Sequence, residues 1–207
     1  MRKLIVGAFV SLDGVMQAPG GPDEDRSGDF EYGGWVQPYF DEAGEKVMRE
    51  SFDHPFALVL GRKTYDIFAG YWPNAKTEPG SLDNQVATSF NAATKYVATH
   101  SPQHLPWKNS QSLGNDVVAR LKELKSQDGP ELLTQGSGQL VQTLLAAGIV
   151  DTLRLLTFPV LLGKGKTLFG HDGMPGAFKL AKSVVTPKGV FAATYERDGA
   201  VKTGSFV

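Results

Sequence analysis

The chain has 207 residues, of which 41% are hydrophobic and 21% charged, and its formal net charge is −1. These are ordinary values for a globular protein, and a chain of this length buries roughly 70% of its unfolded surface without help from disulfides or metals. The small net charge argues against a general attraction to nucleic acid or anionic membranes, and the absence of cysteine excludes disulfides, thiolate metal sites and thiol nucleophiles.

The first part of the chain predicts a strand, a long loop, a helix and a second strand. Residues 3–10 form an apolar run that indicates a buried strand and is too short for a secretion signal or a membrane span. The loop over 11–34 is rich in Gly, Pro and Asp, and loops of this length are usually functional or mobile. Apolar residues at helical spacing predict a helix over 36–52, and a buried strand follows over 56–60.

The middle of the chain continues the alternation of helices and strands. A short helix opens at Gly61, and residues 70–92 are predicted as loop, in which 81–90 has room for a helical turn or more. Asn115 is placed to cap a helix, and Gly148 is placed to end one. The remaining predicted elements are strands over 95–99, 131–134 and 150–158, a helix over 116–127 and a helix that starts at Gly138.

The tail contains only strand-like segments, over 178–186 and 190–206. Lys182 interrupts the alternating pattern of the first segment. Within the second, Asp198-Gly199 separates two strand-like runs and is a signal for a tight hairpin.

This order of elements predicts one α/β domain over residues 1–207. Alternating strands and helices indicate a doubly wound, mostly parallel sheet with helices on both faces. The strand-only tail adds a C-terminal antiparallel hairpin. No internal repeat or flexible linker divides the chain.

Two strand-to-helix turns carry groups that suit phosphates, and ligands of doubly wound sheets bind beyond the carboxyl ends of the strands. Gly61-Arg62-Lys63-Thr64 combines a helix start with a guanidinium fork and a hydroxyl. Gly136-Ser137-Gly138 lets a pyrophosphate approach the backbone closely, although it lacks the third glycine of the G-x-G-x-x-G fingerprint. Taken alone, each segment is explained at least as well as an ordinary turn.

Two further polar segments follow strands. Thr99, His100 and Ser101 could contact a phosphate or a ribose, and a polar loop start explains them equally well. Asp13 could donate a proton or hold a substrate amine, and its alternative role is a turn residue before Gly14.

The sequence does not contain the motifs of other common catalytic or metal-binding sites. His100 and His104 are four residues apart, but Pro102 between them argues against a helix that presents both to a metal. The sequence contains no Walker loop, no G-x-S-x-G elbow and no H-E-x-x-H motif. We therefore expect no metal site.

Five segments in this order together carry a resemblance to a known family. They are 6–14, 60–65, 96–101, 136–138 and 158–169, which read VGAFVSLDG, LGRKTY, YVATHS, GSG and FPVLLGKGKTLF. The chain resembles the dihydrofolate reductase superfamily, and most of all stand-alone relatives of the C-terminal reductase domain of the bifunctional riboflavin-biosynthesis deaminase/reductase. The resemblance covers residues 2–206. Each motif is weak, but their order and spacing are specific.

The resemblance implies a dihydrofolate reductase-like sheet of about eight strands and NADPH as the hydride donor. Arg62 matches the partner of the cofactor 2′-phosphate, and Asp13 matches the acid that faces the substrate. Gly163 and Gly165 match the glycine loop near nicotinamide and substrate. The implied cofactor-binding residues are Gly61, Arg62, Lys63, Thr64, Thr99, Ser101, Gly136, Ser137, Gly138 and Gly163.

Two places in the sequence affect which substrate the resemblance implies. Val15 stands where riboflavin-pathway enzymes often have a basic residue that could help to hold a ribose phosphate. A folate-type reductase should carry its acid on the first helix, where Asp41 or Glu42 could serve. The choice of acid among Asp13, Asp41 and Glu42 therefore stays open.

The function that the resemblance implies is NADPH-dependent reduction of a C=N or C=O bond in a small pyrimidine- or pterin-like heterocycle. The best named reaction is reduction of 5-amino-6-(5-phosphoribosylamino)uracil in riboflavin biosynthesis, with dihydrofolate reduction behind it. A nucleotide-binding module without turnover is the alternative from another class. We also expect a cytoplasmic homodimer without nucleic-acid or membrane partners.

Overall fold

The computed structural model describes residues 1–170 and 175–206, which form an eight-stranded sheet flanked by helices. The strands are β1 Leu4–Ser11, β2 Phe56–Gly61, β3 Lys95–Ala98, β4 Ser110–Ser112, β5 Glu131–Gln135, β6 Thr152–Phe158, β7 Phe178–Val185 and β8 Phe191–Arg197. The α-helices are α1 Glu42–Ser51, α2 Arg62–Tyr71, α3 Leu82–Ala92, α4 Val117–Ser126 and α5 Gly138–Ala146, and 3-10 turns occupy Gln37–Tyr39 and Trp72–Asn74.

The strand order is β4-β3-β2-β5-β1-β6-β8-β7. Neighbouring strands from β4 to β6 pair in parallel, whereas β8 pairs antiparallel with both β6 and β7. β1 is apolar on both faces and almost entirely buried, as expected of a central parallel strand covered by helices. The α/β class, the mostly parallel sheet and the C-terminal antiparallel pair are therefore confirmed.

Helices cover both faces of the sheet. On one face, α1, α2 and α3 bury Met48, Tyr65 and Phe90 in one hydrophobic cluster. On the other face, α4 and α5 bury Leu121 and Leu144 in a second cluster. No helix in the described part of the chain is long and apolar enough to cross a membrane.

The helix predicted from residue 36 begins later, as α1 at Glu42. Pro38 lies in the preceding 3-10 turn, and Phe40 and Asp41 then adopt extended conformations that separate this turn from the helix. The Asp41 carboxylate caps α1 by accepting a hydrogen bond from the backbone N–H of Gly44 at 2.9 Å. The helical spacing of apolar residues therefore overestimates the length of this helix.

Two elements, α3 and β4, differ from the predicted ones. Residues 82–92 form a full helix, α3, where the sequence predicts mainly loop, and the Ser81 hydroxyl caps it by accepting from the N–H of Asn84 at 3.1 Å. β4 has no counterpart among the predicted strands, because Ser110–Ser112 is polar throughout. Pairing with β3 alone defines it.

The position of the C-terminal hairpin turn was wrong in the sequence-based prediction. β8 ends at Arg197, so Asp198 and Gly199 follow the last strand. The turn between β7 and β8 lies at 186–190, where the N–H of Thr186 donates to the carbonyl of Val190 at 2.9 Å. The interruption at Lys182 has a structural counterpart, because the register of β7 shifts between Leu180 and Lys182.

Candidate active site

A crevice opens where β5 ends before its neighbours. Pairing between β1 and β5 stops at Gly7 and Gln135, whereas β1 continues to Ser11 beside β6. β2 likewise continues past β5, to Gly61 beside β3. The carboxyl ends of β1 and β2 are therefore separated above the turn at 136–138, which forms the floor of the crevice. Ligands of open α/β sheets bind at such places.

Two helices begin side by side at this floor. α2 starts after Gly61 and α5 starts after Ser137, and in the described structure neither start has a side-chain cap. The backbone N–H of Gly61 donates to the Ser137 hydroxyl at 2.9 Å, which joins the two turns. Because the positive ends of two helix dipoles and their first-turn N–H groups converge here, the floor suits an anion.

Arg62 brings the segment after β3 to the same edge of the sheet. Its Nη1 lies 3.4 Å from both the Thr99 hydroxyl oxygen and the carbonyl oxygen of Ser101. The guanidinium therefore faces a loop with two hydroxyl side chains, an arrangement that suits a phosphate monoester. Lys63 turns away from this group, and its Nζ lies 3.3 Å from the Ser27 hydroxyl oxygen in the loop after β1.

Asp13 joins the end of β1 to the loop after β6. Its carboxylate accepts hydrogen bonds from the Ser11 hydroxyl and from the backbone N–H groups of Leu162 and Gly163, the last at 2.7 Å. The Ser11 hydrogen bond, supported by those from Gly163 and Leu162, lowers the pKa of Asp13 against the opposing effect of burial. An exposed carboxylate with a lowered pKa is ionised at neutral pH, so Asp13 suits an orienting role better than proton donation.

Asp41, one of the two alternative acids, has structural partners. Besides capping α1 at Gly44, it accepts a hydrogen bond from the N–H of Lys188 in the β7–β8 turn at 3.1 Å. The Gly44 hydrogen bond is the main cause that lowers the pKa of Asp41. Glu42 is exposed in the first turn of α1. The choice of the substrate-facing acid stays a prediction.

The loop over residues 14–34 packs against the floor of the crevice. The N–H of Met16 donates to the carbonyl of Lys166 at 2.8 Å. The Met16 sulfur lies 3.2 Å from the place that a Cβ on Gly138 would take, and its methyl carbon lies 3.7 Å from the corresponding place on Gly136. Glycine at these two positions leaves room for Met16, or for a ligand that displaces this flexible side chain.

Four residues that the sequence analysis missed as a group fasten this loop to both sides of the crevice. The Asp25 carboxylate pairs closely with the Lys166 ammonium, and its other oxygen lies 3.8 Å from the Lys63 Nζ. The Ser27 hydroxyl oxygen lies 2.7 Å from the Lys166 Nζ. We call Asp25, Ser27, Lys63 and Lys166 the loop clamp. No local pattern signals it, because Lys63 and Lys166 are far in sequence from Asp25 and Ser27 and from each other.

The charges of the loop clamp hold Asp25 in its ionised form. Burial alone would raise the pKa of Asp25, but the hydrogen bonds from Lys166 and Ser27 outweigh burial and lower this pKa to about 2. The loop is therefore attached by a charge that persists over the whole physiological pH range.

Gln135 is a second residue that the sequence analysis did not single out. A Cβ on Gly7 would come within 2.9 Å of its carboxamide, so the end of the Gln135 side chain lies against this glycine and would have to move if position 7 carried a side chain. Phe9, Met48 and Arg154 line the same small hollow. A carboxamide here can donate to and accept from the edge of a ring. A polar residue that ends an apolar strand just before a glycine turn was the available signal.

Comparison with known families decides the relationship of this chain. The model of the RibD C-terminal domain matches residues 2–192. The chain belongs to the RibD C-terminal domain family. Two Bacillus subtilis (strain 168) proteins, the uncharacterised YyaP and YwjB, are each 24% identical to this RibD C-terminal domain. The YyaP alignment covers 96% of both chains, and the YwjB alignment covers 81% of this chain and 83% of YwjB.

Solved structures share the fold. A putative riboflavin biosynthesis protein from Shewanella sp. PV-4 has a TM-score of 0.58 at 22% identity, over 95% of this chain and 99% of the other. A pyrimidine reductase-like protein from Corynebacterium diphtheriae NCTC has a TM-score of 0.59 at 16% identity, over 95% and 92%. Dihydrofolate reductase from Enterococcus faecalis, complexed with NADP(H) and RAB-propyl, has a TM-score of 0.56 at 15% identity, over 95% and 96%. The dihydrofolate reductase-like architecture of this RibD C-terminal domain is thereby confirmed.

Proposed function

We propose that this RibD C-terminal domain is an NADPH-dependent reductase of a small, planar, pyrimidine-like heterocycle. The observation that carries the proposal is the joined pair of helix starts at Gly61 and Ser137, beside an Arg62 fork turned toward Thr99 and Ser101. A pyrophosphate is bound well by backbone N–H groups at helix starts, and a 2′-phosphate by a bidentate cation. The Enterococcus faecalis dihydrofolate reductase, which has the same fold, was solved with NADP(H).

The backbone at the floor leaves room for a dinucleotide. A Cβ on Gly136 would meet only the ends of two side chains, the Met16 methyl at 3.7 Å and the Thr64 methyl at 4.0 Å. A phosphate can therefore reach the backbone once Met16 moves. The residues that would hold the cofactor are Gly61, Thr64, Gly136, Ser137 and Gly138 at the pyrophosphate, Arg62, Thr99 and Ser101 at the 2′-phosphate, and Gly163 near the nicotinamide. Bound NADPH supplies the hydride, and the chain supplies binding and orientation.

Asp13 would orient the substrate. The hydrogen bond that its carboxylate accepts from the N–H of Gly163 fixes the loop after β6, and its negative charge would attract an amino or ring N–H group of a pyrimidine. Gln135 offers a carboxamide to another edge of the ring. Lost turnover with retained NADPH binding in Asp13→Asn would support an enzyme. A wild type that binds NADPH but turns over no candidate substrate would instead support the nucleotide-binding module.

Within this reaction class, reduction of 5-amino-6-(5-phosphoribosylamino)uracil remains the best named reaction. Family membership and the likeness to a riboflavin biosynthesis protein and a pyrimidine reductase-like protein support it. Dihydrofolate reduction is the second candidate, since Val15 removes a basic residue that could help to hold a ribose phosphate. Rescue of a riboflavin auxotroph by the expressed chain tests the first reaction, and rescue of a strain without dihydrofolate reductase tests the second.

The decisive experiment is titration of wild type and Arg62→Ala with NADPH and NADH. We expect wild type to prefer NADPH and Arg62→Ala to lose that preference, because a charge-assisted phosphate contact contributes about 1.5–3 kcal/mol, roughly ten- to over a hundredfold in affinity. Arg120→Ala is the control, since Arg120 is an equally exposed arginine of an ion pair on α4. Absence of binding by either nucleotide would reject the proposal.

We also propose that the protein is a cytoplasmic homodimer, as its family resemblance implies. Sedimentation equilibrium at micromolar concentration tests the dimer, and a monomer there would reject it. Fractionation of cells that express the chain tests its location.

A further inference from the structure

Arg62 is held along one edge of its guanidinium by a residue of its own helix. Its Nε donates to the Asp66 carboxylate at 2.9 Å, one turn further along α2. The guanidinium carbon lies 5.9 Å from the centre of the Tyr65 ring. Its Nη1 reaches 3.4 Å from Thr99 and Ser101, so the end of the fork faces the loop after β3.

The Arg62–Asp66 pair lies beside open space. The two side chains line a groove of about 550 Å³ together with Gln103 and His104. The Arg62 side chain is therefore tied to Asp66 at Nε and is accessible from the groove.

We propose that Asp66 is a positioning residue for cofactor selectivity, which holds Nε of Arg62 so that the Nη1 end of the guanidinium stays turned toward the loop after β3, where the 2′-phosphate would bind. The inference rests on the proposed function of the crevice. An arginine side chain has many rotamers, and a fork that is already fixed loses less conformational entropy when it binds a phosphate. Asp66 acts through Arg62 and does not itself contact the phosphate.

A carboxylate near a phosphate also has an opposing effect. Asp66 repels the phosphate directly, although its side chain is 52% exposed and the repulsion is screened by water and salt. This direct repulsion is present whether or not position 62 is arginine. The positioning effect, in contrast, exists only when Arg62 is present, so a double-mutant cycle separates the two.

The experiment titrates wild type, Asp66→Ala, Arg62→Ala and the double variant with NADPH and with NADH. We expect Asp66→Ala to weaken NADPH binding about two- to fivefold more in the presence of Arg62 than in its absence, the size of an exposed ion pair. NADH affinity should show no such coupling, because NADH lacks the 2′-phosphate. Asp66→Asn, which keeps an oxygen that can accept from Nε, should recover part of the NADPH affinity.

Glu123→Ala is the matched control, because Glu123 pairs with Arg120 on α4 and the exposed fractions, 37% and 55%, are close to the 36% and 52% of Arg62 and Asp66. It removes the same charge and should not change selectivity. Equal effects of Asp66→Ala in both backgrounds, or equal losses for NADPH and NADH, would overturn the positioning role alone. A wild type without NADPH preference, or a preference that survives Arg62→Ala, would overturn the proposed function and this inference with it.

Discussion

The hydroxyl oxygen of Ser137 accepts a hydrogen bond from the backbone N–H of Gly61 at 2.9 Å, across the crevice floor between two helix starts. Ser137 has a positive φ of 68°, a conformation that costs a residue with a side chain about 1–2 kcal/mol. Ser137 therefore combines an unfavourable backbone conformation with a favourable side-chain hydrogen bond. Substitutions at position 137 can separate them.

We expect Ser137→Ala to weaken both folding and dinucleotide binding. It keeps the positive φ but leaves the Gly61 N–H without its partner, which costs about 1 kcal/mol of unfolding free energy. Ser137→Gly loses the same hydrogen bond but relieves the strained φ, so its stability should stay near that of wild type. If the joined turns bind the pyrophosphate, both variants should lose about fivefold in affinity for NADPH and for NADH alike. Urea unfolding and fluorescence titration measure the two effects, and a loss confined to NADPH would contradict this role.

Gly165→Ala should destabilise the fold far more than Gly163→Ala. A Cβ at position 165 would lie 2.6 Å from a Val15 methyl and 2.9 Å from the Phe30 ring, both buried, at a φ of +130°. Overpacking and backbone strain together predict a loss of about 2–5 kcal/mol. Gly163 has a φ of +74° and no atom within 4 Å of the added methyl, so strain alone predicts a loss of about 1–2 kcal/mol. Equal urea midpoints for the two variants would contradict the close packing of the loops.

Asp25→Asn should loosen the 14–34 loop. The lowering of the Asp25 pKa from 3.8 to about 2 corresponds to a stabilisation of about 2 kcal/mol. Because the folded pKa is the lower one, this contribution is complete above about pH 4 and is lost as the pH falls toward 2. The stability difference between wild type and Asp25→Asn should therefore stay constant from pH 7 to pH 5, and trypsin should cut the variant faster after Arg26.

Asp23→Asn provides the control in the same loop. Asp23 pairs with Arg26, but its side chain is 79% exposed, so its loss should change stability by less than about 1 kcal/mol. A difference for Asp25→Asn that disappears before pH 5, or one no larger than that for Asp23→Asn, would mean that the loop clamp does not hold the loop.

Lys95→Met should destabilise the protein through the loss of hydrogen bonds to the segments before and after β3. The fully buried Lys95 ammonium donates to the carbonyls of Asn91 and Lys108, each at 3.0 Å, and lies 4.3 Å from the centre of the Trp107 ring. Methionine would leave both carbonyls without this donor, at a cost of about 1–3 kcal/mol.

The pH dependence of the Lys95→Met effect has a defined sign. Burial lowers the pKa of Lys95 to about 8 from its usual 10.5. Between these values the unfolded chain binds more protons than the folded one, so wild-type stability rises with pH relative to Lys95→Met. Urea unfolding at pH 7, 8.5 and 10 should show a widening difference, and a constant difference would contradict the lowered pKa.

Local sequence patterns predicted those strands and helices whose buried side chains form a regular apolar pattern within a single element. The apolar run over 3–10 and the helical spacing over 116–127 both reappear in the structure, as β1 and α4. β4 escaped prediction because its three polar residues form a strand only through pairing with β3. The turn signal at Asp198-Gly199 failed because these residues continue the alignment of β8 with the start of β7. The N–H of Asp198 donates to the carbonyl of Ala177 at 2.7 Å, and the N–H of Ala177 donates to the carbonyl of Gly199 at 3.0 Å.

For the candidate site too, the sequence predicted some features and not others. Order and spacing of short motifs singled out Gly61, Arg62 and Ser137 as candidates for cofactor binding, and the structure places these three residues around one crevice. The attachment of the long loop was not predictable, because Asp25 and Lys166 meet only after β6 lies beside β1. Long-range ion pairs leave no periodic trace in the sequence.

The central place of β1 matters while the protein is being made. β1 is synthesised before the other strands of this sheet, yet the strands on its two sides, β5 and β6, end only at Gln135 and Phe158. Until then the nascent chain exposes an apolar strand with two open edges, which other chains can pair with. Chaperones that cover this segment should therefore raise the yield, and truncation before β5 should produce aggregates rather than a smaller folded protein.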